Sequence, residues 1–296
     1  MTEEKRKELL ARLDTTGKGR SPGLKTDDPP ADYLANLEKT TKETVVLPCP
    51  AVDVPVVCEI FKAKDLEKNC RVHINIHGGG YVYPRNERDA LYCAHLAAAI
   101  HGIVVDIEYT TTRTHSYPVP LEQCYEVAKW TFSNCTSWGG DPGRVSIGGY
   151  SAGGCLTAAI NLRAAKEKDL GGTFQMQIMT YPVFDNSVQN KHPENLRGYL
   201  FSMLYAGGDE QVLKDPYCSP LFADDGMLVD QPKTVLVLAG LCPAVNGAVR
   251  YGERLALAGN EVTIRGFPDC HHGFLALLAD RWQEAQEYII RQLLTT

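Results

Sequence analysis

From Thr44 onward, short runs rich in β-branched residues alternate with longer stretches whose apolar positions recur at helical spacing. The runs Val45–Leu47, Val54–Phe61, Arg71–Ile76, Ile103–Ile107, Arg144–Ile147, Gln175–Thr180, Thr234–Leu238 and Glu261–Ile264 read as strands. Between several of them lie helical patterns at Glu87–Ile100, Leu121–Asn134, Ala152–Lys166 and Val245–Ala258, with a terminal one near Leu275–Leu294. Strand–helix alternation of this kind predicts a mostly parallel sheet with helices on both faces. The first two runs, joined near Pro48–Asp53, predict an antiparallel hairpin at the sheet edge. Residues 1–43 are polar and contain the Pro-rich connection Asp27-Asp-Pro-Pro30, so they predict an N-terminal helical cap segment. Residues 44–296 then form the main domain. Within it, residues 185–228 carry no strong strand signal and many Pro, Gly and aromatic residues, which marks an inserted cap segment.

Composition narrows the class without changing this outline. With 44% hydrophobic and 22% charged residues in 296, there is apolar material for a sizeable core, and a disordered chain is excluded. A net charge of −6 argues against a broad nucleic-acid or anionic-membrane surface. The stretch Leu96–Ile107 is broken by His101 and Asp106, so no apolar run approaches the ~20 residues of a membrane span. The charged start Met1-Thr-Glu-Glu-Lys lacks the apolar region of a signal peptide, which makes a cytoplasmic protein the expectation. The 10 cysteines contain no CxxC pair and read as mostly buried free thiols.

Three segments carry chemistry. Gly149-Tyr150-Ser151-Ala152-Gly153-Gly154 follows a predicted strand and opens a predicted helix. A sharp strand–turn–helix elbow needs small neighbours and lifts a serine hydroxyl to the carboxyl edge of the sheet, over a helix N-terminus that favours negative charge. Ser151 is therefore the candidate nucleophile; the plainer alternative is a Gly-rich turn that only packs helix on sheet. His77-Gly78-Gly79-Gly80-Tyr81 follows the strand ending at Ile76. A glycine run there can aim backbone N–H groups at a substrate oxygen, as an oxyanion hole requires. A phosphate cradle is the alternative, but no GK[ST] follows. Finally, His271-His272-Gly273-Phe274 lies after the last predicted strand, on the sheet edge where a base for Ser151 must sit, and His272 is the better candidate of the two imidazoles. Tyr81, Tyr83 and Tyr150 are candidates to border the pocket.

The order HGGG, GYSAGG, HGF resembles the hormone-sensitive-lipase-like group of α/β-hydrolase carboxylesterases, over about residues 70–290. Supporting matches are Tyr109 with His115 and Tyr117-Pro118, Gly140-Asp-Pro-Gly-Arg144, and Tyr181-Pro182. The resemblance implies an α/β-hydrolase fold with a helical cap, a Ser–His–acid triad, no cofactor and no metal. It also implies an oxyanion hole at Gly79, Gly80 and the N–H of Ala152. The family's acid is an Asp in a Gly-x-Asp-Pro-Leu segment, whereas the matching segment here is Gly240-Leu-Cys242-Pro-Ala244. Cys242 thus stands at the acid position, and Asn246 where a second acidic residue often lies.

A thiol stabilises an imidazolium less than a carboxylate does. Replacing a triad acid in a serine protease costs about 10⁴ in kcat, yet the oxyanion hole and binding still catalyse. Asp185 is the alternative acid, approaching from the preceding strand, and Asp269 a local one; for each the plainer reading is a loop or turn hydrogen bond. Cys242 and Cys270, beside His271 and His272, also suggest a redox link or, less readily, a zinc site. The expected function is hydrolysis of a small, largely apolar carboxylic ester, with a small-molecule substrate as the partner. The alternative is an impaired hydrolase that binds a small ligand beneath its cap. A peptidase would demand more of a complete triad.

Overall fold

The structure, a computed structural model, describes residues 1–16, 27–187 and 196–296. Its frame is one eight-stranded sheet. The strands are β1 (Thr40–Leu47), β2 (Val56–Ala63), β3 (Cys70–Ile76), β4 (Ile103–Glu108), β5 (Gly140–Tyr150), β6 (Met176–Thr180), β7 (Lys233–Ala239) and β8 (Val262–Phe267). Their spatial order is β1-β2-β4-β3-β5-β6-β7-β8. The β1–β2 hairpin and the β2–β4 pairing are antiparallel, and every later pairing is parallel. All eight predicted runs are therefore strands. The boundary placed after residue 43 falls inside β1, whose N-terminal half pairs Thr40 with Ala63 through Glu43 with Ile60.

Among the described residues, the helices are α1 (Glu3–Thr15), α2 (Ala31–Glu38), α3 (Glu87–Ala99), α4 (Val119–Asn134), α5 (Ala152–Glu167), α6 (Leu196–Tyr205), α7 (Val245–Leu257) and α8 (Trp282–Leu293). The period-2 alternation of the strands sorts them onto the two faces. Val235 and Val237 of β7 point to the side covered by α3 and α8, with Leu91, Leu96, Trp282 and Ile289. Leu236 and Leu238 of the same strand point to α5 and α7, with Ala158, Ala248 and Leu255. Each such apolar side chain removed from water contributes roughly 1.5–3 kcal/mol, so covering both faces is what lets β7 be apolar from Val235 to Ala239.

The segment corresponding to residues 185–228 holds α6 and short 3₁₀ turns, with residues 188–195 outside the described residues. Leu9 and Leu13 of α1 share a buried cluster with Leu200, Met203 and Leu204 of α6. The terminal helix is shorter than its apolar pattern predicts. Phe274, Leu275 and Leu278 are buried, but they sit in turns in which Leu278 and Asp280 adopt positive φ, so α8 begins only at Trp282.

Candidate active site

Three loops at the carboxyl ends of β3, β5 and β8, and a fourth after β7, bring the chemistry together. At the first turn beyond β5, Ser151 has φ 58° and ψ −119°, the strained geometry of an elbow, and its N–H donates to the Thr180 carbonyl at 2.9 Å. Crowding dictates the glycines around it. A Cβ on Gly153 would lie 2.0 Å from the Ile76 carbonyl oxygen, and one on Gly149 would lie 2.6 Å from backbone of Gly153 and Ile76. Helix α5 opens at Ala152, so that residue's N–H belongs to the first turn, where no intrahelical acceptor exists.

The glycine loop after β3 packs directly against this elbow. A Cβ on Gly78 would meet the Tyr150 carbonyl oxygen at 2.9 Å and Ser151 Cβ at 3.2 Å. Gly79 and Gly80 have φ of +93° and +61°, and a Cβ on Gly80 would press on the Phe201 ring at 2.5 Å. Tyr109 fixes the loop from below by donating to the carbonyls of His77 (3.3 Å) and Gly78 (3.0 Å), with its ring stacked on His77 at 4.2 Å. His77 Nδ1 lies 2.8 Å from the Gly78 carbonyl oxygen, so its proton sits on that nitrogen. Burial lowers its pKa to about 3, which keeps the ring neutral.

His272 reaches Ser151 from the loop after β8, with Nε2 2.8 Å from Ser151 Oγ. Gly273 at φ +87° makes the turn, and Phe274 plugs it against Tyr181 and Phe267, each with centroids 5.5 Å away. The edge of the Tyr181–His272 pair, at 5.0 Å, walls the imidazole. Burial lowers the His272 pKa to about 4, leaving a neutral imidazole.

On the other side of the ring, Cys242 Sγ lies 3.1 Å from Nδ1 and accepts from the Ala244 N–H at 3.4 Å. Two backbone bonds lash its loop to the histidine loop, from Gly240 N to the Phe267 oxygen (2.8 Å) and from Leu241 N to the Cys270 oxygen (3.0 Å). A Cβ on Gly240 would meet Pro268 at 2.4 Å, so this close approach needs glycine there. Cys242 is only 4% exposed, and burial pushes its thiol up from the usual range, against the two amides of Ala244 and Val245.

The structure therefore places Ser151, His272 and Cys242 in one hydrogen-bonded row. Asp185 is used differently: one of its oxygens accepts from the N–H (2.8 Å) and hydroxyl (2.6 Å) of Ser187, while the Nδ1 edge of His272 faces Cys242. Asp269 pairs with Arg281 at 3.2 Å, and His271 Nδ1 lies 3.1 Å from Asp280. Both contacts draw these groups away from a shared ligand set, and no group of three or more His, Cys, Asp or Glu suited to a metal occurs among the described residues. All ten cysteines are free thiols. Asn246 lies in the first turn of α7. Tyr81 stacks on Tyr205 at 3.7 Å and Tyr83 meets Phe201 edge-on at 5.9 Å, so both act as packing around the glycine loop.

Sequence reasoning did not find the partner of Tyr150. Its hydroxyl donates to the buried carboxylate of Asp89, which also accepts from the Asn86 N–H at 2.7 Å in the capping box of α3. The capping-box spacing Asn86-Glu-Arg-Asp89 was legible, but nothing local ties it to Tyr150, 61 residues away. Among the described residues no helix is long and apolar enough to cross a membrane.

Comparison with known proteins agrees with this fold. The sequence profile described as alpha/beta hydrolase fold matches residues 73–276. The esterase LipI of Mycobacterium tuberculosis is 30% identical over 215 residues, which span 69% of this chain and 65% of LipI. The carboxylesterase NlhH of the same organism is 30% identical over 238 residues, spanning 75% of this chain and 72% of NlhH. Among solved structures, carboxyl esterase 2 of the fungus Tuber melanosporum superposes with a TM-score of 0.79 at 23% identity, covering 97% of each chain. With its sheet order, its serine elbow and a family match over most of its length, the chain belongs to the α/β-hydrolase-fold family.

Proposed function

We propose that this protein is a serine carboxylesterase of the hormone-sensitive-lipase-like group, hydrolysing small, largely apolar carboxylic esters through an acyl-enzyme. The observation that carries the reading is the 2.8 Å approach of His272 Nε2 to Ser151 Oγ at the elbow. Ser151 Oγ attacks the ester carbonyl while His272 Nε2 takes its proton. The oxyanion accepts from the N–H groups of Gly79, Gly80 and Ala152. As the intermediate collapses, His272 returns the proton to the leaving alcohol, and a water activated by the same imidazole releases the acid. Side chains, backbone amides and water complete this cycle.

Helices α1 and α6 form the cap in this reading, and Phe201 of α6 against Gly80 gives the pocket its apolar roof. The names of LipI and NlhH, an esterase and a carboxylesterase, support the reaction class. The second reading, a ligand-binding protein with impaired hydrolysis, rests on the thiol at the acid position.

Hydrolysis of a short-chain p-nitrophenyl ester by the wild type and by Ser151→Ala separates the two. Ser151→Ala should lower kcat by at least about 10³-fold relative to the wild type. No turnover by either protein across several acyl lengths would favour the binding reading, and equal turnover would remove Ser151 from the mechanism.

A further inference from the structure

Cys242 meets His272 with a hydrogen-bonding freedom that an ionised aspartate lacks. A triad carboxylate only accepts, so the imidazole beside it must carry its proton on Nδ1, leaving the Nε2 lone pair for the serine. A thiol both donates and accepts weakly. At 3.1 Å, Cys242 Sγ can accept from Nδ1–H, or its S–H can donate to an unprotonated Nδ1. The second arrangement puts the ring proton on Nε2, facing Ser151 Oγ at 2.8 Å. The base then has no lone pair for the nucleophile. The same wrong-tautomer fault lowers kcat about 10⁴-fold when a serine protease's Asp is replaced by Asn.

We infer that Cys242 is a tautomer-setting positioning residue whose thiolate holds His272 with its proton on Nδ1, whereas its thiol also admits the unproductive tautomer, so that hydrolysis is switched on as Cys242 ionises. The inference rests on Ser151 and His272 acting as proposed above. Ionisation passes the S–H proton to solvent hydroxide and leaves an acceptor-only sulfur, equivalent in hydrogen bonding to the absent carboxylate. Burial opposes such an anion, and two contacts work the other way. The Ala244 N–H points at Sγ from 3.4 Å, and the sulfur stands beside the first turn of α7.

Few groups compete for this titration. Cys242 faces His272 Nδ1 and the amides of Ala244 and Val245, and His272 faces Ser151, Cys242 and Tyr181. The Tyr181 phenol is driven by burial far above the range in which a thiol ionises, with the Cys242 charge adding to that shift. On the histidine loop, His271 is engaged with Asp280 and Asp269 with Arg281. Burial pushes the Cys242 thiol up and the His272 imidazolium down, so the pair is neutral at pH 7 and the switch lies on its alkaline side.

The test follows kcat/KM for a short-chain p-nitrophenyl ester from about pH 6 to about pH 10.5, buffer hydrolysis subtracted, in wild type, Cys242→Ser, Cys242→Asp and Ser151→Ala. The wild type should gain at least about 10-fold between about pH 7 and about pH 10 and still be climbing there, because burial pushes the thiol up and its thiolate fraction grows throughout this range. Cys242→Ser, whose hydroxyl does not ionise, should show no such rise. Cys242→Asp should be flat over this range and exceed the wild type at pH 7 by about 10–10³-fold. A wild-type profile that stays level, or a rise retained in Cys242→Ser, would overturn the inference. Loss of activity in Ser151→Ala alongside either result confines the failure to Cys242, whereas activity retained in Ser151→Ala sinks the esterase mechanism itself. Should Cys242→Ser not fold, ¹⁵N spectra of His272 in the wild type decide. Both neutral tautomers at pH 7 giving way to Nδ1–H alone as pH rises supports the switch, and one unchanging tautomer overturns it.

Discussion

The elbow after β5 and the loop after β7 are neighbours on the same sheet edge, yet they are built on opposite principles. Around Ser151 the backbone itself is the device. The Gly149–Gly153 contact, the Ile76 carbonyl and the glycine loop after β3 approach so closely that a single methyl has no place. Around Cys242 the backbone is equally well held, by Gly240 and by the bonds to Phe267 and Cys270. There, however, the functional content lies in one side chain pointing at His272 Nδ1. Steric demands of the first kind leave no alternative residue. A hydrogen-bonding demand of the second kind can be met, less well, by another group of similar size, and a thiol is such a group. On the proposed mechanism, this is why the His272 Nδ1 end of the row admits a thiol while the Ser151 end is confined to glycines.

The harshest way to break that contrast is Gly153→Ala. Its Cβ would stand 2.0 Å from the Ile76 carbonyl oxygen and 2.6 Å from that of His77, both backbone atoms of β3 and the glycine loop. Neither can yield without moving the glycine loop and the sheet together. A loss of more than about 3 kcal/mol in stability is expected, with no measurable hydrolysis. Thermal unfolding would then drop by more than about 6 °C. A Gly153→Ala protein that melts with the wild type would show that the elbow is looser than its geometry.

A smaller effect is expected where the elbow is held by a side chain. Tyr150→Phe keeps the ring against Gly78 but removes the hydroxyl that donates to Asp89, a carboxylate 4% exposed. Asp89 then retains the Asn86 N–H. One missing partner for a buried carboxylate costs about 1–3 kcal/mol, read from urea unfolding. Adding Asp89→Asn to Tyr150→Phe removes the uncompensated charge and should recover part of that loss. If Tyr150→Phe unfolds with the wild type, the phenol–carboxylate contact does not hold the elbow.

Legibility in the sequence follows the same division. Strand β7 announced itself because both faces are apolar from Val235 to Ala239, β3 and β4 because β-branched residues recur along them around a few buried polar ones, and the elbow because its glycines lie close together in sequence. The N-terminal half of β1 gave no signal: Thr41 to Thr44 are exposed, and an edge strand needs only its ladder to β2. The pattern Leu275–Leu278 mimicked a helix since turns, too, can bury apolar side chains beside Phe274 and Trp282. The register of Cys242 with His272 was readable from motif order. The hydroxyl of Tyr150 on Asp89, and the cluster in which Arg85 bridges Glu59 and Asp106, join residues from distant parts of the chain, so no local pattern reports them.

The smallest effect sharpens the comparison from the acid side. If the row Ser151–His272–Cys242 is the working one, then the two carboxylates that a sequence reading would enlist in its place should matter little to catalysis. Asp185 accepts from Ser187 two residues along its own loop, and the exposed Asp269 bonds Arg281. An amide at either position keeps an acceptor oxygen and a similar shape, and the imidazole edge it would have to serve already faces Cys242. Asp185→Asn and Asp269→Asn are therefore each expected to keep kcat/KM within about 3-fold of the wild type at every pH, since the amide keeps each group's shape and acceptor while Cys242 holds the His272 edge. A fall of about 10³-fold or more in either variant alone would transfer the acid's role to that carboxylate. It would also leave Cys242 as a filler of the loop after β7, and the contrast between a backbone-built nucleophile and a side-chain-built acid would have to be redrawn around a different residue.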